Sequence, residues 1–133
     1  MAEESSKKYL LGNDAIAHAC LESGIDFVSG YPGTPSSEVI DRLRTQKDPW
    51  FYLEWSVNEK VAFENALAAS WCGLRSIVTM KHVGLNVAAD PLFTATYTGV
   101  NAGLVVVVAD DPGLARSQNE QDTRMIARAA HVP

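Results

Sequence analysis

Apolar residues follow two different patterns along the chain. Short continuous apolar runs are typical of buried strands, whereas apolar residues three and four positions apart are typical of amphipathic helices. The continuous runs predict strands at residues 25–29, 50–55, 76–80 and 103–109. The helical spacing predicts helices at residues 13–23, 35–46, 57–72 and 119–130. Asn13 is the expected N-cap of the first helix, and Pro91 predicts a helix start or a kink at Asp90.

The alternation of strands and helices predicts an α/β fold. We expect three layers, α-β-α, with a mostly parallel sheet and right-handed crossovers. The β-branched run at 103–109 predicts a strand covered on both faces, at the centre of the sheet. We expect residues 1–9 to form a flexible N-terminus and residues 10–133 to form one domain, with a sheet that is truncated after the fourth to fifth strand.

Composition and charge restrict the classes of partner. The 133 residues are 47% hydrophobic and 20% charged, as in soluble single domains. The net charge of −5 provides no basic surface for nucleic acid or an anionic membrane. No apolar run approaches the ~20 residues of a membrane span, so we expect a cytoplasmic protein. Cys20 and Cys72 lack the spacing of metal ligands, so no metal site is predicted within the chain.

Three loops leave the C-terminal ends of predicted strands, at residues 31–34, 54–59 and 80–86. These ends meet at one edge of a parallel sheet, where α/β proteins place ligands. We therefore expect Thr34, Glu59 and His82 to lie in one neighbourhood. The turn around Gly33 is compatible with a tight connection or with an anion-binding loop. Thr34 is also the expected N-cap of the second helix, with Pro35 at its first position.

Glu59 has two interpretations. Ser56 precedes it by three residues, which is the spacing of a helix capping box, in which each side chain bonds the other residue's backbone N–H. The alternative is a carboxyl group held in an apolar setting at a helix start, where it acts as an acid near neutral pH. The same spacing of Ser117 and Glu120 predicts the start of the last helix.

Five motifs occur in order over nearly the whole chain, from about residue 10 to residue 133: GYPGTPSSEVID, EWSVNEKVA, TMKHVGLNVAADPL, GLVVVVADDPG and SQNEQDTR. Together they resemble the N-terminal, pyrimidine-binding domain of the alpha subunit of indolepyruvate:ferredoxin oxidoreductases. These enzymes belong to the thiamine-diphosphate-dependent 2-oxoacid:acceptor oxidoreductases. The similarity to the pyruvate:ferredoxin relatives is looser and rests on the Tyr-Pro-x-Thr-Pro-Ser-Ser turn and the glutamate.

The resemblance implies roles for four residues. Glu59 falls on the glutamate that contacts N1′ of the thiamine aminopyrimidine, where a protonated carboxyl group favours the imino form that removes the C2 proton. Pro32 and Gly33 would line the cofactor pocket, and Thr34 would bind the carboxylate or oxo group of the substrate. Because a solvent-exposed glutamate is ionised near pH 7, this site has to be dry.

The resemblance leaves the substrate carboxylate without an evident cation. The substrate-binding arginine of the pyruvate relatives has no counterpart, because Asp110-Asp111 stands about where it would align. His82 and Arg124 are the candidates, with His82 as a proton donor or hydrogen-bond donor to the substrate. The other interpretation of His82 is a structural histidine.

The resemblance also implies cofactors and partners. Thiamine diphosphate would bind with Mg²⁺ held by a partner domain, and iron–sulfur clusters and coenzyme A would lie elsewhere in the assembly. The expected partners are a diphosphate-binding domain or subunit, ferredoxin-linked subunits and an aryl 2-oxoacid, within a homo- or hetero-oligomer. Since the Mg²⁺-binding and cluster-binding motifs are absent from these residues, we expect the chain alone to be inactive. Two alternatives stay open: the pyrimidine-binding subunit of a non-oxidative 2-oxoacid decarboxylase, and a non-catalytic α/β interaction module.

Overall fold

The computed structural model describes residues 9–132, and within that range helices and strands alternate along most of the chain. The predicted flexible N-terminus, residues 1–9, lies outside the described residues except for Tyr9. The elements are α1 (Gly12–Glu22), β1 (Phe27–Gly30), α2 (Ser37–Arg44), β2 (Tyr52–Trp55), α3 (Glu59–Trp71), β3 (Ser76–Lys81), α4 (His82–Val87), α5 (Ala89–Thr98), β4 (Leu104–Ala109) and α6 (Arg124–Ala129).

The strands form one all-parallel sheet in the order β2-β1-β3-β4. Helices α1 and α2 cover one face, where Val28, Ile40 and Ile77 are buried in one apolar cluster. Helix α3 covers the other face, where Phe63 and Met80 belong to a second cluster. The predicted α/β class and its three layers are therefore confirmed.

Helix α3 is fixed to the sheet by buried hydrogen bonds as well as by apolar contacts. The Ser29 hydroxyl of β1 donates to the carbonyl of Ala62 at 2.7 Å. The Ser76 hydroxyl of β3 donates to the carbonyl of Ala66 at 2.8 Å. Because alanines face the sheet at these places, the helix backbone comes close enough for both bonds. The N-terminus of α3, which carries Glu59, is therefore held in a defined position above β1 and β3.

The position predicted for the last strand is wrong. Among residues 9–132, β4 pairs only with β3 and forms an edge of the sheet. Val106 and Val108 pack on the α3 side and Val107 packs on the α1 and α2 side, whereas 55% of Val105 is exposed. The prediction that both faces of this strand are covered holds only in part, because Val105 is exposed. A continuous apolar run also carries no information about the number of neighbouring strands.

The first helix starts earlier than its sequence pattern predicts. Leu11, rather than Asn13, occupies the N-cap position, and no side chain caps this helix. The Asn13 amide instead donates to the carbonyl of Pro35 at 2.8 Å. Asn13 therefore ties α1 to the segment that leads into α2, because a tertiary acceptor lies within its reach.

No helix among residues 9–132 is long and apolar enough to cross a membrane. Cys20 is buried and Cys72 is exposed, and neither forms a disulfide. Burial raises the pKa of the Cys20 thiol.

Gly30 ends β1 at a point where no side chain fits. A Cβ at this position would lie 2.5 Å from Ile40 Cδ1 and 2.9 Å from the carbonyl oxygen of Thr79. We expect Gly30→Ala to lower the free energy of unfolding by about 1–3 kcal/mol, because a backbone atom of a central strand cannot move aside easily. Urea unfolding measures this loss. Gly103→Ala is the matched control, since its Cβ would meet nothing within 4 Å; equal stability of the two variants would contradict the expectation.

Candidate active site

Three loops leave the sheet at one edge, as the sequence predicts. Gly30 and Trp55, the last residues of β1 and β2, are register partners, and Gly30 also pairs with Thr79, two residues before the end of β3. The chain then continues from these ends into the turn before α2, the start of α3 and the start of α4. Glu59, Gly33, Thr34 and His82 therefore all follow strand ends at the same edge.

The N-terminus of α3 is capped by Asn58, and the predicted capping box is wrong. Asn58 Oδ1 accepts the backbone N–H of Val61 at 2.9 Å, so Asn58 is the N-cap and Glu59 is the first helical residue. The Ser56 hydroxyl donates instead to the Glu54 carboxylate at 3.1 Å. Glu59 is therefore not needed as a capping group.

Glu59 is half-buried, and its carboxylate has no partner among the residues that the structure describes. No residue in the range 9–132 donates a hydrogen bond to it or forms an ion pair with it. A half-buried carboxyl group without a partner among these residues keeps its hydrogen-bonding capacity for water or a ligand.

Gly84 in α4 makes room for the Glu59 side chain. A Cβ on Gly84 would lie 2.5 Å from Glu59 Oε1, 2.6 Å from its Cγ and 2.8 Å from its Cδ. The carboxyl group therefore lies directly against the backbone of α4, two residues after His82. Any side chain at position 84 would occupy the space that the carboxyl group now fills.

The turn before α2 carries the other predicted ligand-binding residues. The backbone N–H of Gly33 donates to the Ser37 hydroxyl at 2.8 Å, and the Ser36 hydroxyl donates to the Gly33 carbonyl at 2.7 Å. These bonds close the turn, and they leave Pro32 and Thr34 exposed at the edge of the sheet.

The predicted start of α2 is wrong. This helix begins at Ser37 with Ser36 at the N-cap position, whereas the prediction placed Thr34 at the cap and Pro35 in the first turn. The Thr34–Pro35 peptide bond is cis and belongs to the turn. Thr34 is therefore not used as a helix cap, and its side chain is exposed.

His82 is completely buried at the start of α4. Its Nε2 lies 3.0 Å from the backbone oxygen of Asn119 and 3.1 Å from Asn119 Oδ1. Since a carbonyl oxygen only accepts, Nε2 carries a proton and donates it to Asn119. Nδ1 is buried without a partner among the described residues. The structure thus directs the Nε2–H of His82 to the loop after β4 and leaves Nδ1 without a partner among residues 9–132.

Arg124 is not brought into contact with the other candidates. Its guanidinium is exposed and forms a two-pronged pair with Asp122, at 2.8 and 2.7 Å. This pairing raises the pKa of Arg124 and lowers that of Asp122. Arg124 lies at the start of α6, beside an apolar groove of about 580 Å³ between α5, β4 and α6.

The loop at residues 110–123 forms a polar network that the sequence did not predict. Asp110 accepts a hydrogen bond from the Thr123 hydroxyl at 2.8 Å. Asp111 accepts from the Ser117 hydroxyl and from the backbone N–H of Arg116, each at 2.7 Å. The expected helix start at Ser117 is therefore wrong, because its hydroxyl bonds Asp111, and α6 begins seven residues later.

The hydrogen bond from Ser117, followed by that from the Arg116 N–H, lowers the pKa of Asp111. Because its pKa is lowered in the folded protein, the ionised Asp111 contributes its full stabilisation at pH values above the ordinary carboxyl pKa of about 4. This stabilisation is lost as the pH falls through the lowered pKa of the folded state. We expect Asp111→Asn to be less stable than the natural protein near pH 7, with a difference that shrinks towards pH ~3. Urea unfolding at several pH values tests this. Glu120→Gln, in the same loop but exposed, should show no such difference; a pH-independent gap for Asp111→Asn would contradict the expectation.

No group of three or more His, Cys, Asp or Glu side chains is placed to hold a metal ion in the described part of the chain. The group best suited to a ligand is the Glu59 carboxyl. Because Glu59 is half-buried, lacks a partner among residues 9–132 and lies in the space left by Gly84, its carboxyl group is available to form a hydrogen bond with a ligand.

The chain is similar in sequence to archaeal oxidoreductase subunits. It is 57% identical over 128 residues to "Indolepyruvate oxidoreductase subunit IorA" of Pyrococcus horikoshii, a match that covers 96% of this chain and 20% of the relative. It is 54% identical over 137 residues to the same subunit of Archaeoglobus fulgidus, covering 98% of this chain and 22% of the relative. The chain thus spans about a fifth of the length of these relatives. No protein-family model matches the sequence.

The fold is similar to that of a solved 2-oxoglutarate:ferredoxin oxidoreductase from Magnetococcus marinus, determined with 2-oxoglutarate, coenzyme A and succinyl-CoA bound. The TM-score is 0.75 at 26% sequence identity, and the match covers 89% of this chain and 21% of the other. The structural similarity and the sequence matches along nearly the whole chain together show that the chain belongs to the 2-oxoacid oxidoreductase family. Within this family, its sequence matches those of the indolepyruvate oxidoreductase subunits IorA.

Proposed function

We propose that this chain supplies the pyrimidine-binding part of a thiamine-diphosphate-dependent indolepyruvate:ferredoxin oxidoreductase. The observation that carries the proposal is the Glu59 carboxyl group, which has no partner within residues 9–132 and lies in the space left by Gly84. We infer indolepyruvate as the substrate from the names of the archaeal relatives. We infer ferredoxin as the electron acceptor from the name of the solved 2-oxoglutarate:ferredoxin oxidoreductase.

In this proposal Glu59 holds and moves a proton at the pyrimidine ring. When bound, thiamine diphosphate supplies the carbon nucleophile for the 2-oxo group and takes up the electron pair left when carbon dioxide departs. Glu59 has to be protonated in order to donate, and a dry environment favours the protonated form of a carboxyl group. The cofactor ring itself and the surface of a diphosphate-binding domain would remove the remaining water.

The turn at residues 32–34 would form the other side of the site. Pro32 and Gly33 would line the pocket beside the cofactor, because they follow β1 at the same edge as Glu59. The exposed Thr34 hydroxyl would donate to the carboxylate or oxo group of the 2-oxoacid. Mg²⁺, the iron–sulfur clusters and coenzyme A would be bound by other domains or subunits of a cytoplasmic hetero-oligomer.

The test uses the complete assembly, purified without oxygen and under mild conditions. We expect a large native mass, bound thiamine diphosphate, iron, and ferredoxin reduction that depends on indolepyruvate and coenzyme A. Thiamine diphosphate without iron, with carbon dioxide released in the absence of an electron acceptor, would replace the proposal with a non-oxidative decarboxylase. A small species with neither would replace it with a non-catalytic module.

A further inference from the structure

A 2-oxoacid carries a carboxylate, so its site needs a cation near Thr34. Two of the cations that follow strand ends at this edge are already engaged. Lys60 donates to Asp90 at 2.7 Å and lies 3.8 Å from Glu64, and these bonds raise its pKa. Arg124 is engaged by Asp122 (above). The cation for the substrate therefore has to be sought elsewhere.

Lys81 lies beside the turn that carries Thr34. It is the last residue of β3 and is half-buried. A Cβ on Gly33 would lie 3.0 Å from Lys81 Cδ and 3.3 Å from its Cγ, so the aliphatic part of the lysine runs along the backbone of the residue before Thr34. Gly33 allows this approach because it has no side chain.

The ammonium group of Lys81 is held in place but not neutralised by an ion pair. Its Nζ donates to the backbone oxygen of Arg116 at 2.8 Å. No carboxylate among residues 9–132 forms an ion pair with it. Since an ammonium has three donor hydrogens, two stay available for a ligand.

The Asp111 carboxylate does not use those donors. The charge of Lys81 is one of the smaller causes of the lowered pKa of Asp111, so the two groups interact at a distance. The Asp111 carboxylate accepts instead from the Ser117 hydroxyl and the Arg116 N–H. The loop thus orients the ammonium through a neutral carbonyl, and no carboxylate of residues 9–132 accepts a hydrogen bond from it.

We propose that Lys81 binds the carboxylate of the 2-oxoacid, together with the Thr34 hydroxyl one residue beyond Gly33. This inference rests on the proposed function and adds the group that recognises the substrate. Two charge-assisted hydrogen bonds from Nζ would hold the carboxylate at the turn, which presents the neighbouring 2-oxo carbon towards the edge where Glu59 lies.

The test measures binding as well as turnover in the complete assembly. The unreactive probes are indolelactate, a 2-hydroxy acid that keeps the carboxylate, and its neutral amide. We expect Lys81→Met to raise the dissociation constant of indolelactate and the KM of indolepyruvate about 10- to 100-fold. Binding of the amide should stay within about twofold, because it makes no charged bond to Lys81.

Two further variants distinguish loss of the Lys81 charge from a local change of structure as the cause of weaker binding. Lys81→Gln keeps a donor for the Arg116 carbonyl and should show the same selective loss for the acid. Lys81→Arg keeps the charge and should recover part of the binding. Lys60→Met, which removes a cation already paired with Asp90, is the matched control and should bind both probes normally.

Three results would overturn the assignment. The first is an equal loss of binding for indolelactate and its amide in Lys81→Met. The second is unchanged binding of indolelactate in both Lys81→Met and Lys81→Gln, and the third is a selective loss of indolelactate binding in Arg116→Met but not in the Lys81 variants. Failure of the proposed function is a different result. In that case the natural assembly itself would contain no thiamine diphosphate and would not oxidise indolepyruvate, whatever residue stands at position 81.

Discussion

Replacement of Glu59 by glutamine is expected to lower the turnover of indolepyruvate by the complete assembly about 10²- to 10⁴-fold, the usual contribution of a general acid or base. Glutamine has nearly the same shape and still forms a hydrogen bond, but it has no carboxyl proton to give to the pyrimidine. The Glu59 side chain forms no hydrogen bond or ion pair within residues 9–132, so the substitution should cost the fold little stability. Steady-state rates and thermal unfolding of the same preparation separate the two effects.

Glu64→Gln is the matched control for this experiment. Glu64 lies on the same helix, is exposed, and faces Lys60 at 3.8 Å. Its replacement should leave turnover unchanged, because surface ion pairs of this kind contribute little. If Glu59→Gln also kept the natural rate, the carboxyl group would have no catalytic role and the site assignment would be wrong.

Gly84→Ala is expected to lower turnover by up to about 100-fold through a displaced Glu59, since a shift of about 1 Å in a catalytic group costs this much. The new methyl group would need the space of Glu59 Oε1 and Cγ, which lie 2.5 and 2.6 Å from its position. The backbone of α4 is fixed by helical bonds, whereas the glutamate side chain is free to rotate. The carboxyl group therefore moves, and the helix does not.

Stability distinguishes displacement of Glu59 from damage to the fold. An alanine is favoured over glycine within a helix by roughly 0.5–1 kcal/mol, which offsets the cost of moving the glutamate. Gly84→Ala should therefore unfold close to the natural temperature while its turnover is lost. Gly12→Ala, whose Cβ would meet nothing within 4 Å, is the control and should keep both properties. Full turnover in Gly84→Ala would show that Glu59 does not depend on this space.

The sequence predicts the order of the elements and the edge that carries the site, because both follow from apolar periodicity and from the geometry of parallel strands. It predicts the starts of helices poorly. Ser56 and Ser117 have the spacing of capping residues, yet their hydroxyls donate to Glu54 and Asp111. A capping rule considers only the neighbouring backbone, and here tertiary folding brings a carboxylate within reach of each hydroxyl.

Contacts between distant residues account for most of what the sequence did not predict. Glu59 and Gly84 are 25 residues apart, as are Asn13 and its acceptor Glu38 in α2, and nothing in their local patterns links them. Nothing in the local sequence distinguishes Lys81 from other lysines at strand ends, and its position beside Gly33 is evident only from the fold. His82 has two interpretations from the sequence, a donor to the substrate and a structural histidine, and in the fold its Nε2–H bonds Asn119 in the loop after β4.

The exchange rate of the C2 proton of bound thiamine diphosphate tests the role of Glu59 most directly, because it requires neither substrate nor electron transfer. The measurement follows loss of the proton signal in heavy water for the natural assembly and for Glu59→Gln, each loaded with cofactor. We predict exchange that is slower by about 100-fold or more in the variant. Equal exchange rates in the two assemblies, at equal cofactor content, would contradict the central claim that Glu59 activates the cofactor.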